Sequence, residues 1–284
     1  MTSLFLFVVG ACLGSFAVAQ VWRLRARQLE GLKQAHKKYD KAEYSRLHKL
    51  VGHTVQRDRS VCLACGYQLR WLDLLPVVSW ALLRGKCRKC RKPIGLAEFA
   101  AEMLLGALFV VSYLFWPYQL ATVPSIIALA VWFVLLTALA VLFIYDLKWS
   151  QMPSKLLYFC VVCAIIFLIC NILQGSFGVA QIPSLVVALV VLPGLYLALN
   201  LVSKGKWVGD GDYILAISLA LVLANYFSAV MTLFLSNLLG CLVYVFIALA
   251  NRQNRPKRIP FGPLLIVGFL LAFFINWARL GLTL

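Results

Sequence analysis

Eight long apolar runs constrain this chain more than any other feature of its sequence. A helix that crosses a membrane needs roughly 20 mostly apolar residues, and most of the runs reach about that length. They cover approximately residues 2–22, 98–116, 124–145, 156–173, 183–202, 213–227, 229–250 and 263–280. The sixth run is short, and we expect it to be tilted or partly re-entrant. The sequence therefore predicts an all-α polytopic membrane protein with about eight transmembrane helices.

The overall composition agrees with this class and excludes two others. Hydrophobic residues make up 63% of the 284 residues and charged residues only 13%, whereas soluble domains are roughly half apolar and about a quarter charged. A soluble or a disordered chain is therefore excluded. The first run has no basic segment before it and carries its positive charge after it, so we interpret it as an uncleaved anchor and not as a signal peptide.

Basic residues are concentrated after the first run, and their distribution predicts the topology. Eighteen of the 27 lysines and arginines lie between Val21 and Lys92, together with five acids. By the positive-inside rule this segment is cytoplasmic. Alternation of the spans then puts three further basic sites on the same side: Lys148 and Lys155, Lys204 and Lys206, and residues 252–258. The loops predicted for the opposite side contain no lysine or arginine: residues 117–123, residues 171–182 and the turn near Asn225.

The formal net charge of +17 has two interpretations. The first is a topology signal combined with attraction to anionic lipid, which is worth roughly 1 kcal/mol per basic residue near the surface. The second is nucleic-acid binding, which we disfavour because the basic segment has no RNA- or DNA-reading motif. We therefore expect anionic membrane lipid, and no nucleic acid, among the partners.

Four of the nine cysteines form two C-x-x-C pairs in the basic segment, Cys62 with Cys65 and Cys87 with Cys90. A reducing cytoplasm disfavours disulfides, and four thiolates at this spacing suit tetrahedral Zn²⁺. A redox pair and idle thiols are the alternatives. The sequence thus predicts a small cytoplasmic zinc-knuckle domain inserted after the first helix. Cys160, which forms a similar pair with Cys163, has apolar neighbours, and we interpret that pair as packing.

Only three carboxylates follow Met103 in the sequence, namely Asp146, Asp210 and Asp212. An acid within a membrane span costs about 2.5–3.5 kcal/mol on insertion scales, so such residues are functional candidates. The predicted topology puts all three at the cytoplasmic ends of spans. For any one of them alone, an interfacial acid paired with a nearby lysine, or a charge at a helix N-terminus, is an equally good interpretation.

Considered together, the acids favour paired-carboxylate chemistry. Gly209 and Gly211 let backbone and substrate approach closely. Two carboxylates a few ångströms apart cannot both ionise cheaply, so they share a proton, and one can activate water while the other protonates a leaving amine. We favour Asp212 over Asp210 as the partner of Asp146 because Asp212 directly precedes the apolar run. Asp210 and the two glycines are then supporting residues.

These motifs resemble the bacterial type IV prepilin peptidases (leader peptidase and N-methyltransferase), a family of G-x-G-D membrane aspartyl proteases. The resemblance covers nearly the whole chain, and the order and spacing of the motifs make it specific. Its motifs are Gly10, Gly14-Ser15-Phe16, Arg23, residues 59–62, the two cysteine pairs, residues 71–80 and 84–88, Glu98, Asp146, residues 209–212 and residues 260–263.

The resemblance implies cleavage of a prepilin or pseudopilin leader at the cytoplasmic face of the bacterial inner membrane, and then methylation of the new N-terminal residue from S-adenosylmethionine. The substrate would carry a basic leader and an apolar helix. Residue by residue, the resemblance makes Asp146 and Asp212 the catalytic pair, and the four loop cysteines the metal-binding set. It suggests Gly14, Arg23 and Glu98 as methyltransferase positions.

On this interpretation the chain divides into three parts. Residues 1–22 form the first transmembrane helix, residues 23–97 the cytoplasmic basic domain with the two C-x-x-C knuckles, and residues 98–284 a seven-helix membrane aspartyl peptidase domain. Two alternatives remain. A presenilin-like intramembrane protease shares Tyr145-Asp146 and the G-x-G-D motif but does not need cytoplasmic cysteine pairs. A transporter or an assembly scaffold would use the acids as an ion relay.

Overall fold

The computed structural model describes residues 1–50, 60–74, 76–206, 208–250 and 260–281. These residues form ten α-helices and, apart from two isolated β-bridges, no β-structure. The helices are α1 (Thr2–Gln34), α2 (Lys41–Leu47), α3 (Val78–Leu82), α4 (Leu96–Leu114), α5 (Val123–Trp149), α6 (Ser154–Leu173), α7 (Ile182–Ser203), α8 (Asp210–Leu223), α9 (Tyr226–Ala250) and α10 (Phe261–Gly281).

Each of the eight predicted apolar runs falls mainly on a helix, which confirms the all-α membrane class. Among the described residues, six helices are long and apolar enough to cross a membrane: α1, α4, α5, α6, α7 and α9. The apolar stretch of α10 runs over Phe261–Asn276 within the described side chains. Helix α8 has 14 residues and rises only about 21 Å at 1.5 Å per residue, less than the roughly 30 Å of hydrocarbon.

The sixth predicted run extends too far, because one helix, α8, ends and another, α9, begins within it. Ala224 takes the left-handed conformation, with φ of 47°, and ends α8. The side chain of Asn225 then accepts hydrogen bonds from the N–H groups of Phe227 and Ser228, at 2.9 and 3.2 Å, and caps the start of α9. The prediction of one run across residues 213–227 is therefore wrong at its end, since a cap interrupts it.

Helix α1 continues to Gln34, well beyond the end of the first apolar run. Residues that favour helices, such as arginine, leucine and glutamine, extend it, and a small core holds the extension. Ala26 and Leu29 of α1 are buried against Leu47 of α2. The Arg25 guanidinium pairs with the Glu43 carboxylate at 2.5 Å. The helix that enters the basic segment is thus part of a packed structure.

By contacts the chain forms two compact units, Met1–Ser112 and Tyr113–Leu284. The three-part division into residues 1–22, 23–97 and 98–284 is a different partition, and it stays a prediction about function. In the first unit, α1 and α4 approach closely at glycines. A Cβ on Gly10 would lie 2.9 Å from the Cα of Gly106, a spacing of small residues that allows membrane helices to touch.

The second unit packs α5 to α10 around an aromatic core. Trp132 of α5 is fully buried and stacks on Phe273 of α10, with ring centroids 4.2 Å apart. Phe167 of α6 lies beside the same indole, at 6.2 Å. Helix α5 is the most enclosed of the candidate spans and α9 the most exposed. Enclosure of α5 matters because Asp146 lies near its C-terminal end.

Candidate active site and metal centre

Asp146 lies in the last turn of α5 and is only 5% exposed. Its Oδ2 accepts a hydrogen bond from the backbone N–H of Gly262 at 3.1 Å. Gly262 is the second residue of α10, and N–H groups in the first turn of a helix have no partner within the helix. The start of α10 therefore supplies a free donor to a carboxylate that is 116 positions away in sequence.

Asp212 lies in the first turn of α8 and is 8% exposed. Its Oδ2 accepts a hydrogen bond from the backbone N–H of Gly209 at 3.0 Å. Gly209 is the N-cap residue of α8, so this contact caps the helix. A carboxylate in the first turn is also stabilised by the helix dipole. Both acids are thus anchored through one oxygen by a backbone N–H at the start of a helix.

The two carboxylates are close enough to interact electrostatically. Met152, in the connection from α5 to α6, lies against Gly211 and Gly262. A Cβ on Gly211 would lie 3.0 Å from the Cβ of Met152. A Cβ on Gly262 would lie 2.8 Å from Oδ2 of Asp146 and would also overlap the Met152 methyl group. A side chain at either position would force Met152 to shift, so glycine allows α8 and α10 to approach this connection closely. Both glycines belong to the motifs identified in the sequence, whereas Met152 does not.

Asp210 has a different environment from Asp212. Its side chain is exposed, and Oδ1 accepts a hydrogen bond from the Asn200 amide at 3.0 Å. The same Nδ2 donates to the carbonyl of Val208 at 2.8 Å. Asn200 is buried near the end of α7 and so ties that helix to the segment before α8. Sequence reasoning missed Asn200, although an amide within an apolar span is a signal for interhelical hydrogen bonding.

The four loop cysteines come together as predicted. Their sulfur atoms all lie within 4.8 Å of one another, and the sulfurs of Cys62 and Cys90 are 3.9 Å apart. Tetrahedral zinc with bonds of about 2.3 Å requires sulfurs about 3.8 Å apart. Four thiols in this arrangement therefore fit a Zn²⁺ ion.

The two cysteine pairs occupy turns of the same design. In the first, Cys62 N–H donates to the carbonyl of Tyr67 at 2.8 Å, and in the second Cys87 N–H donates to the carbonyl of Lys92 at 2.9 Å. The residue after each second cysteine has a positive φ, 71° at Gly66 and 54° at Arg91. An isolated β-bridge closes each turn. Each of the two turns therefore contributes two of the four sulfur atoms in the cluster.

Cys87 is the buried member of this cluster. Burial by itself raises the pKa of its thiol, but hydrogen bonds from the backbone N–H groups of Cys90 and Lys89, together with the neighbouring thiols of Cys62 and Cys90, lower that pKa to about 7. A lowered pKa favours the thiolate, which is the form that binds a metal. The chemistry of the donor set thus agrees with its geometry.

The residues suggested for methyl transfer lie in the first unit. Gly14 packs against α4, where an added Cβ would lie 2.6 Å from the carbonyl oxygen of Ala101. Arg23 lies further along α1. Glu98 is in the first turn of α4, and one of its carboxylate oxygens is buried without a hydrogen bond from any residue that the structure describes.

Glu102, one turn after Glu98, is a buried acid that sequence reasoning missed. Its Oε2 accepts a hydrogen bond from the backbone N–H of Val77 at 2.7 Å. Val77 has an unusual φ of 63° for a β-branched residue, so this contact holds a strained turn against α4. A carboxylate inside an apolar run was the available signal.

A comparison with known proteins connects these features. The family model described as Bacterial Peptidase A24 N-terminal domain matches residues 8–116. A prepilin leader peptidase/N-methyltransferase from Aeromonas hydrophila is 31% identical over 216 residues, which cover 75% of this chain and 70% of the relative. The chain belongs to the prepilin leader peptidase/N-methyltransferase family.

Other members of the prepilin leader peptidase/N-methyltransferase family match over similar or greater lengths. The protein of that name from Vibrio cholerae is 28% identical over 276 residues, 94% of each chain. The one from Bacillus subtilis is 25% identical over 217 residues, 76% of this chain and 81% of its own length. No solved structure matches this chain significantly. Both units, and thus both the cysteine cluster and the aspartate pair, lie within the alignable family sequence.

Proposed function

We propose that this protein is a membrane aspartyl endopeptidase that removes the leader of prepilins or pseudopilins and then methylates the new N-terminal residue. The observation that carries the peptidase activity is the buried pair Asp146 and Asp212, two acids within electrostatic range at the ends of α5 and α8. Family membership supports the substrate and the second activity, because the relatives are named prepilin leader peptidase/N-methyltransferase.

In the proposed peptidase reaction, Asp146 and Asp212 share one proton. The N–H groups of Gly262 and Gly209 both bind Oδ2 of their carboxylate, so Oδ1 of each can face water and substrate. The ionised carboxylate takes a proton from water while the water oxygen attacks the scissile carbonyl carbon. The protonated carboxylate then gives its proton to the amine nitrogen as the carbon–nitrogen bond breaks. Gly209, Asp210 and Gly211 support this arrangement by shaping the start of α8.

The methyl-transfer step is assigned to the first unit. S-adenosylmethionine, when bound, supplies the methyl group to the new N-terminal amine. We propose Gly14, Arg23 and Glu98 as the residues that bind the donor or the amine. The support is the buried Glu98 oxygen, which has no hydrogen bond from the residues that the structure describes and can accept one from a cationic ligand. Gly14 allows the close helix contact beside it.

Cys62, Cys65, Cys87 and Cys90 are proposed to hold one structural Zn²⁺ ion. The support is the spacing of their sulfurs and the two matching turns that carry them. In such sites all four positions of the metal are filled by protein, so the ion contributes to folding and not to bond cleavage. The zinc would fix the two turns relative to each other.

We propose that the protein resides in the bacterial inner membrane with the aspartate pair facing the cytoplasm. The concentration of basic residues between Val21 and Lys92 supports this orientation and favours anionic lipid at that surface. A substrate with a basic leader and an apolar helix would then bring its cleavage site to the membrane face where the acids lie.

Mass spectrometry of a co-expressed prepilin tests both activities. We expect loss of the leader and a mass gain of one methyl group with the wild type. Asp146→Asn and Asp212→Asn should abolish cleavage, whereas Asp210→Asn should leave it largely intact because an amide oxygen can still accept the Asn200 hydrogen bond. Cleavage by either of the first two variants at the wild-type rate would refute the proposed catalytic pair. Cleavage without the added methyl would refute the methyltransferase activity alone.

A further inference from the structure

Helix α7 turns a polar side toward the aspartate end of the second unit. Tyr196 and Asn200 lie four residues apart in α7 and therefore share a face, and both are buried. The amide nitrogen of Asn200 donates to the Val208 carbonyl and to Asp210. Tyr196 is different: only 2% of it is exposed, and within the part of the chain that the structure describes no hydrogen bond reaches its hydroxyl.

The Tyr196 ring lies next to the start of α10, which holds Asp146. Its centroid is 5.3 Å from that of Phe261, and the following residue, Gly262, binds Asp146. Tyr196 is also within electrostatic range of Asp212. The ring therefore packs against the start of α10 and lies within electrostatic range of the acid of α8, on the side of the bundle that carries the proposed active site.

An unpaired hydroxyl in this position requires an explanation. A buried polar group without a partner costs about 1–3 kcal/mol, and a phenylalanine would fill the same space without that cost. Asn237 of α9 lies within interaction range of the hydroxyl, but its amide nitrogen donates to the Leu233 carbonyl at 2.8 Å, and no described residue forms a hydrogen bond with the Tyr196 oxygen. A group that is left unpaired in the free protein, next to the reacting acids, is available to a bound ligand.

We propose that the Tyr196 hydroxyl donates a hydrogen bond to the carbonyl oxygen of the peptide bond that is cleaved. This inference rests on the proposed peptidase function. When water attacks the carbonyl carbon, a carbon–oxygen bond forms and the electron pair of the double bond moves to the carbonyl oxygen. The Tyr196 O–H stabilises the resulting negative charge. The electron pair on the oxygen forms the double bond again when the carbon–nitrogen bond breaks. The amine then leaves with the proton that the protonated aspartate donates.

The test is Tyr196→Phe, which keeps the ring contact with Phe261 and removes only the hydroxyl. Loss of a donor to a developing oxyanion typically lowers kcat about 10²-fold to 10³-fold, so we expect a fall of at least about tenfold in kcat with little change in KM. The thermal unfolding temperature in detergent should stay the same or rise, because no residue that the structure describes forms a hydrogen bond with the hydroxyl. A hydroxyl with a structural role would give the opposite: lower stability with unchanged kcat.

Asn237→Leu is the matched control. If the hydroxyl serves only Asn237, both variants should lose the same activity, and that result would overturn the inference. A Tyr196→Phe enzyme with wild-type kcat would also overturn it, while the wild type and the aspartate variants would still support the peptidase function. If the wild type itself leaves prepilin uncleaved, the proposed function fails, and the inference fails with it.

Discussion

The backbone N–H of Gly262 donates a hydrogen bond to Oδ2 of Asp146 at 3.1 Å and joins the start of α10 to the end of α5. The space beside Gly262 is closed by Met152 and by the carboxylate itself. The position of Asp146 therefore depends on a residue with no side chain, which is a property that substitution can test.

We predict that Gly262→Ala lowers the cleavage rate by about 10-fold to 100-fold, because an added Cβ would lie 2.8 Å from Oδ2 of Asp146 and displacements near 1 Å cost this much in active sites. Prepilin cleavage by purified protein measures the effect. Gly194→Ala is the control, since Gly194 of α7 has open space around it. Equal rates for the two variants would contradict the role of Gly262.

Asn200→Leu should lower both stability and activity. The change removes the donor to Val208 and Asp210 and leaves a carbonyl and a carboxylate to find other partners, at a cost of about 1–3 kcal/mol. Thermal unfolding in detergent and cleavage assays report the two effects. Asp210→Asn, which keeps the acceptor, should behave like the wild type, whereas Asp210→Ala should resemble a weaker form of Asn200→Leu. A harmless Asn200→Leu variant would show that α7 does not hold this segment.

Metal analysis of the purified protein should find about one zinc ion per chain, because four thiolates complete the coordination of a single Zn²⁺. Replacing Cys62 and Cys87 with serine should remove the metal and lower stability, because structural zinc contributes folding free energy. Cys241→Ser is the control, since Cys241 is an exposed cysteine of α9 outside the cluster. Wild-type protein that is stable and contains no zinc would disprove the site.

Gly14→Ala should lower the free energy of unfolding by about 1–3 kcal/mol, the usual cost of overpacking, because a Cβ there would lie 2.6 Å from the Ala101 carbonyl oxygen. Gly31→Ala is the control on the same helix: nothing lies within 4 Å of that position, and alanine favours a helix over glycine. If Gly14→Ala removes methylation while stability and cleavage stay intact, Gly14 acts in methyl transfer and not in helix packing.

Several features of the site could be predicted from sequence because they depend on composition and local spacing. Acids are so scarce after Met103 that Asp146 and Asp212 were identifiable as a candidate pair. The C-x-x-C spacing, likewise, predicted that Cys62 and Cys87 would share one cluster, and their sulfurs do lie together. Local turns create that cluster, since each pair closes within six residues.

Other features depend on which helices become neighbours. Met152, Asn200 and Tyr196 matter because α7, α8 and α10 meet at the end of α5, and no local pattern in their segments signals that meeting. Glu102 was overlooked for a related reason: its partner, the Val77 N–H, comes from a turn 25 residues earlier. An isolated polar residue in an apolar run indicates that some partner exists but not which one.

The sequence by itself determined the membrane class, the approximate positions of the apolar helices, the cysteine cluster and the candidate aspartates, because hydrophobic length, charge and short-range spacing act within a segment. Only the tertiary structure decided how the aspartates are held. The N–H of Gly262 acts on Asp146 across 116 positions, and the unpaired hydroxyl of Tyr196 is recognisable only when its surroundings are known. Hydrogen bonds of this kind require that separate helices bring a donor and an acceptor within about 3 Å, a condition set by packing of the whole bundle.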